Sequence, residues 1–115
     1  MRVILVNPFD ETVKEAVYGG DFREIYDLIE CSTFDIVYMG SGHDMYVDDE
    51  GLLKSNQRFF RFEDRNLAGK ALIMKNDSEG ESIDADMSLE DVVEAIEWLP
   101  KGHREEPYME FKAWQ

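Results

Sequence analysis

The chain opens on an unbroken apolar run, Val3-Ile4-Leu5-Val6, stopped by Asn7-Pro8. So short a run, bounded by turn residues, reads as a strand buried on both faces. Residues 12–18 form a second strand candidate, with Val13 and Val17 on one face and Lys14 and Ala16 on the other. Gly19-Gly20 breaks it. Asp21 followed three residues later by Glu24 is a capping-box pattern that opens a helix. Phe22, Ile25, Tyr26 and Ile29 recur at i, i+3, i+4, i+7 and predict its buried stripe. Phe34 to Met39 is a third strand; Gly40-Ser41-Gly42 turns the chain, and Asp44 to Val47 returns as the hairpin partner.

Gly51-Leu52-Leu53-Lys54 reads as a short helical turn or tight loop. Arg58 to Phe62 is a brief strand whose alternation puts Phe60 and Phe62 on one side. Lys70 to Met74 is a clear strand, and Asn76 to Gly80 is turn chemistry. Ser82 to Asp86 returns, with Ile83 and Ala85 inward and Asp84 and Asp86 outward. Ser88 caps a helix from Leu89 to about Leu99, with Asp91 as the box partner; Leu89, Val92, Val93, Ile96 and Leu99 are its buried positions. Pro100 and Gly102 end it. The tail finishes with Met109, Phe111 and Ala113 alternating with Glu110 and Lys112, beside Tyr108 and Trp114. This predicts a C-terminal strand that joins the sheet, or self-association into a homodimer through the same segment. The expected architecture is α+β: a single domain over residues 1–99, mostly antiparallel sheet packed by two helices, with residues 100–115 as an extension.

Composition narrows the function. A chain of 115 residues with 43% apolar types makes one domain with its own core. There is no run of about 18 apolar residues to cross a membrane, and the opening run is too short for a signal-peptide core; the expected location is the cytoplasm. A single cysteine excludes an internal disulfide framework and a multi-cysteine zinc site. The formal charge of −14 argues against direct binding of nucleic acid. The charge is uneven. Residues 1–50 hold 12 acids and 3 bases, residues 51–75 hold 2 acids and 6 bases, and residues 76–115 hold 12 acids and 3 bases. A basic centre therefore lies between two acidic thirds.

Little of the catalytic repertoire is present. Cys31, His43 and His103 are far apart in sequence and lack metal-ligand spacing, so no metal is expected. Cys31 reads as a small buried side chain and His43 as a solvent-facing turn residue. The acidic turn at Asp77 lacks glycine at the sixth position and a glutamate at the twelfth, which fails the calcium-loop pattern. Gly40-Ser41-Gly42-His43 is not followed by a helix with a basic ligand, so it is a turn and not a phosphate cradle. No catalytic set is legible, and the expectation is a non-enzyme without a cofactor.

Two constellations remain. Glu90, Glu94 and Glu97 fall on one face of the second predicted helix beside Asp91, and Asp84 and Asp86 lie about 6.8 Å apart along a strand face. Asp48, Asp49 and Glu50 form a second acidic cluster. Such an array of carboxylates is one way to imitate the negative charge of a phosphate backbone and points to a partner with a basic surface. The alternative uses Lys54, Arg58, Arg61, Arg65 and Lys70, with an aromatic from Phe59, Phe60 or Phe62, to hold a nucleotide-like ligand.

The stretch Tyr46-Val47-Asp48-Asp49-Glu50-Gly51-Leu52-Leu53-Lys54, then Arg58-Phe59-Phe60, then Leu67-Ala68-Gly69-Lys70, resembles the small proteins of phages and mobile elements grouped as domain of unknown function 3846. The early strands, the acidic turn from Asp77 to Gly80 and the Ser88-Leu89-Glu90 helix start also fit, so the resemblance covers roughly residues 1–97. Gln57 stands where the family pattern commonly has proline, and Ala71 where it often has a second glycine. The resemblance brings no catalytic residues. It implies a phage or plasmid setting and a bacterial cytoplasm. There, a small acidic accessory protein is expected to occupy a basic surface of a host protein, such as a nucleic-acid-binding CRISPR or restriction complex.

Overall fold

The computed structural model describes residues 1–106. The first apolar run forms β1 (Arg2–Asn7), which returns as β2 (Thr12–Val17). Helix α1 (Arg23–Ile29) follows, then the hairpin β3 (Phe34–Gly40) and β4 (His43–Asp48). A 3-10 turn (Gly51–Leu53) leads to β5 (Phe59–Phe62), β6 (Arg65–Ala68) and β7 (Ala71–Asn76). The described chain closes with β8 (Ser82–Ile83), α2 (Leu89–Ala95) and β9 (Ile96–Trp98).

The strands make two sheets. The larger runs β2-β1-β7-β4-β3, with β8 continuing beside β7; the smaller runs β6-β5-β9. Every ladder between described strands is antiparallel. The α+β class, the mostly antiparallel sheet and the two helices are thus as the sequence predicts.

The apolar run explains why β1 is central. Ile4 and Val6 face a core shared with Phe60, Phe62, Leu67, Ile73 and Val92, beneath the small sheet and α2. Val3 and Leu5 face the opposite core, which α1 closes with Ile25 and Ile29. β7 is buried on both faces too, from Ala71 to Met74. With no polar face, both strands need cover on each side. The β3–β4 hairpin turns at Ser41-Gly42, where both residues have positive φ (54° and 76°). That is the backbone sign a two-residue hairpin loop requires.

Several expectations are corrected. α1 begins at Arg23 and leaves Phe22 exposed. The Glu24 carboxylate still accepts from the backbone N–H of Asp21 (3.2 Å) and of Gly19 (3.0 Å). α2 stops at Ala95, and Ile96 to Trp98 continue as a strand. Ile96 pairs with Phe62 and Trp98 with Phe60, so these apolar residues complete the small sheet. Val93 is exposed. β8 is only two residues long and Ile83 is exposed, whereas Ala85 is buried as expected. β6 carries too few apolar residues to stand out in sequence; it forms by pairing with β5 across the Glu63-Asp64 turn. His43 is 2% exposed rather than solvent-facing, because it opens β4 between β3 and β7.

Residues 103–105 dock back on the domain. The His103 ring meets Phe59 edge-on at 4.8 Å. The backbone of Glu105 exchanges hydrogen bonds with the Gln57 side chain, at 3.1 and 3.2 Å. The predicted strand and self-association segment, residues 107–115, lies outside the described residues. No helix among the described residues is long and apolar enough to cross a membrane.

Candidate functional site: a cleft with two lysines

β4 ends at Asp48, whose carboxylate is 2% exposed. One oxygen accepts the backbone N–H of Glu50 (2.9 Å), which starts the turn; the other accepts the Lys54 ammonium (2.6 Å). The 3-10 turn brings Lys54 back over Asp48. Its Nζ also donates to the carbonyl oxygen of Glu30 at 2.7 Å. Glu30 ends α1 in the left-handed conformation (φ 54°). Lys54 therefore satisfies a carbonyl at the negative end of a helix, where a cation is favoured.

Lys70 reaches the same residue from another direction. Gly69 has φ +90°, a conformation that favours glycine, and delivers Lys70 at the start of β7. The Lys70 ammonium pairs with the Glu30 carboxylate. Two ammonium groups therefore converge on one residue, Lys54 on its carbonyl and Lys70 on its side chain. Lys70 holds the Glu30 carboxyl below the usual carboxylate range, with Lys54 adding to the effect.

These groups line a cleft of about 610 Å³. Asn7 at the end of β1, Phe9 and Asp10 in the turn after it, Ile29 of α1 and Ser55, Asn56 and Gln57 after the 3-10 turn complete the lining. Gln57 is held from both ends, because its amide donates to the Leu52 carbonyl (2.9 Å) as well as to Glu105. The neighbouring Cys31 is partly buried; burial, and secondarily the Asp48 charge, pushes its thiol up to about 11. Both charge signs stand over a partly apolar wall, a lining suited to a small polar ligand with an anionic group.

Of the basic residues singled out in sequence, Lys54 and Lys70 meet here. Arg58 is turned toward the Phe9 carbonyl (3.2 Å) and Glu11 (3.4 Å), and its Nε is buried without a partner. Arg61 donates to Asn66 (2.9 Å). Arg65 borders a smaller hollow with Asp49 on the other side of the 3-10 turn. The aromatic part of the expectation is corrected: Phe59, Phe60 and Phe62 are all buried and offer no stacking platform.

The acidic residues do not form one array. Glu97 leaves the face of Glu90 and Glu94 because it lies in β9, 3.9 Å from Arg61. Asp91 closes the capping box with Ser88. Asp84 accepts the backbone N–H of Arg2 at 2.7 Å. Asp86 pairs with Lys75, which holds its carboxyl below the ordinary range, and lies 3.2 Å from His43 Nε2. Asp48 is corrected from an outward carboxylate to the buried anchor of Lys54, while Asp49 is exposed and Glu50 half-buried. Sequence reasoning missed Glu30 and Gln57. Glu30 carries one legible signal, its place directly after the last apolar residue of the predicted helix stripe.

Asp48, Gly51, Lys54, Gly69 and Lys70, which carry the resemblance noted in the sequence, all line this cleft. No curated protein and no solved structure matches the chain. The family described as a domain of unknown function (DUF3846) matches residues 1–97, most of the chain, and the protein belongs to that family.

Proposed function

We propose that this protein is a non-enzymatic binding module that holds a small phosphate-bearing, nucleotide-like ligand in the cleft. The observation that carries the reading is the convergence of Lys54 and Lys70, 16 residues apart in the basic segment, on a single cleft. The cleft's volume of about 610 Å³ suits a ligand of that size, since ligand pockets commonly span about 300–1,000 Å³. The reading includes a bacterial cytoplasm as its setting, supported by the family resemblance. A thermal-shift titration with nucleoside mono-, di- and triphosphates tests it. A ligand at a hundred times its Kd stabilises by about 2.7 kcal/mol, a readily measured rise in Tm. Lys70→Met should abolish that rise. No shift with any member of the panel would end the reading.

A second reading keeps the acidic surface as a contact for a protein with a basic face of the kind that otherwise receives nucleic acid, such as a host defence complex. It is favoured by Glu90 and Glu94, both exposed and one helical turn apart on α2. Such binding falls steeply with salt. Affinity for a basic partner that does not change between low and high salt, or that survives Glu90→Gln with Glu94→Gln, would remove it.

A further inference from the structure

The two ion pairs of the cleft differ in the exposure of their carboxylates. The Glu30 side chain is 67% exposed, whereas that of the Lys70 it pairs with is 20% exposed and that of Asp48 is 2% exposed. An ion pair with so exposed a carboxylate contributes little to stability, because water competes for both partners. The Asp48–Lys54 pair differs: its carboxylate is buried and also accepts the Glu50 backbone N–H, so it stays in place. The cleft thus contains one fixed pair and one that separates at small cost. Both ammonium groups contact Glu30, and the backbone contact of Lys54 does not depend on the Glu30 side chain.

We propose that the Glu30 carboxylate is a built-in competitor: it occupies the Lys70 ammonium in the empty cleft and is displaced when an anionic ligand group takes its place. The inference rests on the ligand reading above and adds a control to it. The internal carboxylate keeps Lys70 oriented into the cleft and lowers the affinity for weak anions. A phosphate group, with more charge and more acceptor oxygens than a carboxylate, outcompetes it. Carboxylate metabolites, which only match what is already there, gain little.

The test uses the full chain and pyrophosphate as the probe, followed by calorimetry at fixed ionic strength. Four proteins are compared: wild type, Glu30→Gln, Lys70→Met and Glu94→Gln. Glu94→Gln should melt as the wild type does, and Glu30→Gln should melt a few degrees lower, by the energy of its pair with Lys70. Glu94→Gln removes one negative charge far along the chain and reports the general effect of net charge. Relief of the competing pair should tighten pyrophosphate binding by Glu30→Gln about fivefold, the factor that corresponds to the upper end of an exposed ion pair. Glu94→Gln should change it by much less, and Lys70→Met should lose it. Binding by Glu30→Gln alone, below detection in the wild type, also supports the proposal. Equal binding by wild type and Glu30→Gln, still lost in Lys70→Met, overturns the competitor and leaves the ligand reading standing. An equal gain in Glu30→Gln and Glu94→Gln overturns it as well. Absence of binding in both wild type and Glu30→Gln overturns the two together.

Discussion

Gly51 lies against Ala68 so closely that a Cβ built on it would stand 2.7 Å from the Ala68 carbonyl oxygen and 2.9 Å from its Cβ. The 3-10 turn can therefore pack on β6, and present Lys54 to Asp48, only with glycine at this position. Gly51→Ala should destabilise the protein by about 1–3 kcal/mol, the usual cost of overpacking. Urea unfolding read by far-ultraviolet circular dichroism checks this, and a midpoint equal to that of the wild type would show that the turn yields.

Ser88 closes a reciprocal capping box. Its hydroxyl accepts the Asp91 backbone N–H at 3.0 Å, and the Asp91 carboxylate accepts the Ser88 N–H at 3.4 Å. Ser88→Ala should cost about 1 kcal/mol. Ser88→Asp should restore most of it, which separates the cap from general damage to α2.

This box was legible in the sequence because a cap is local: two residues three positions apart, Ser88 and Asp91, specify it. So was the two-sided burial of β1, because an apolar run leaves no polar face. The end of α2 was not legible. Ile96 and Leu99 continue the helical period from Val92, and only the distant partners Phe60 and Phe62 draw Ile96 and Trp98 into a strand. The cleft was legible in part. Lys54 and Lys70 stood out as charges in a basic segment, but their meeting at Glu30 depends on where α1 ends in space. The buried role of Asp48 was hidden among three consecutive acids that look alike in sequence.

Glu105 provides a pH test. His103 first, with Asn66 adding a hydrogen bond, holds its carboxyl below the ordinary range in the folded protein. A carboxyl lowered on folding stabilises the folded state above the unfolded carboxylate range, near pH 4.3. That contribution is lost as the pH falls through the folded value. The docked segment 103–106 should therefore loosen on acidification below about pH 4. The Glu105 amide resonance, which reports its bond to Gln57, should move in that window. In Glu105→Gln the movement should be absent.

Cys31 should react slowly. With its thiol near 11, the thiolate at pH 8 is about a hundredfold scarcer than on an ordinary cysteine, and the greater nucleophilicity of the more basic thiolate recovers roughly tenfold. Modification by a disulfide reagent should be about tenfold slower than for a free cysteine peptide. It should rise to the peptide rate in denaturant. A folded-state rate equal to that of the peptide would show that the burial does not govern the thiol.

The order of β1 and β7 in the chain has a consequence for biosynthesis. Ile4 pairs with Ile73, so during translation β1 waits for most of the domain to emerge before its second neighbour exists. Until then β2 guards one side of it, and the other side is an open apolar strand edge, the kind that joins stray chains. Fragments ending before residue 71 should therefore precipitate, whereas those extending through Asn76 can shield that edge.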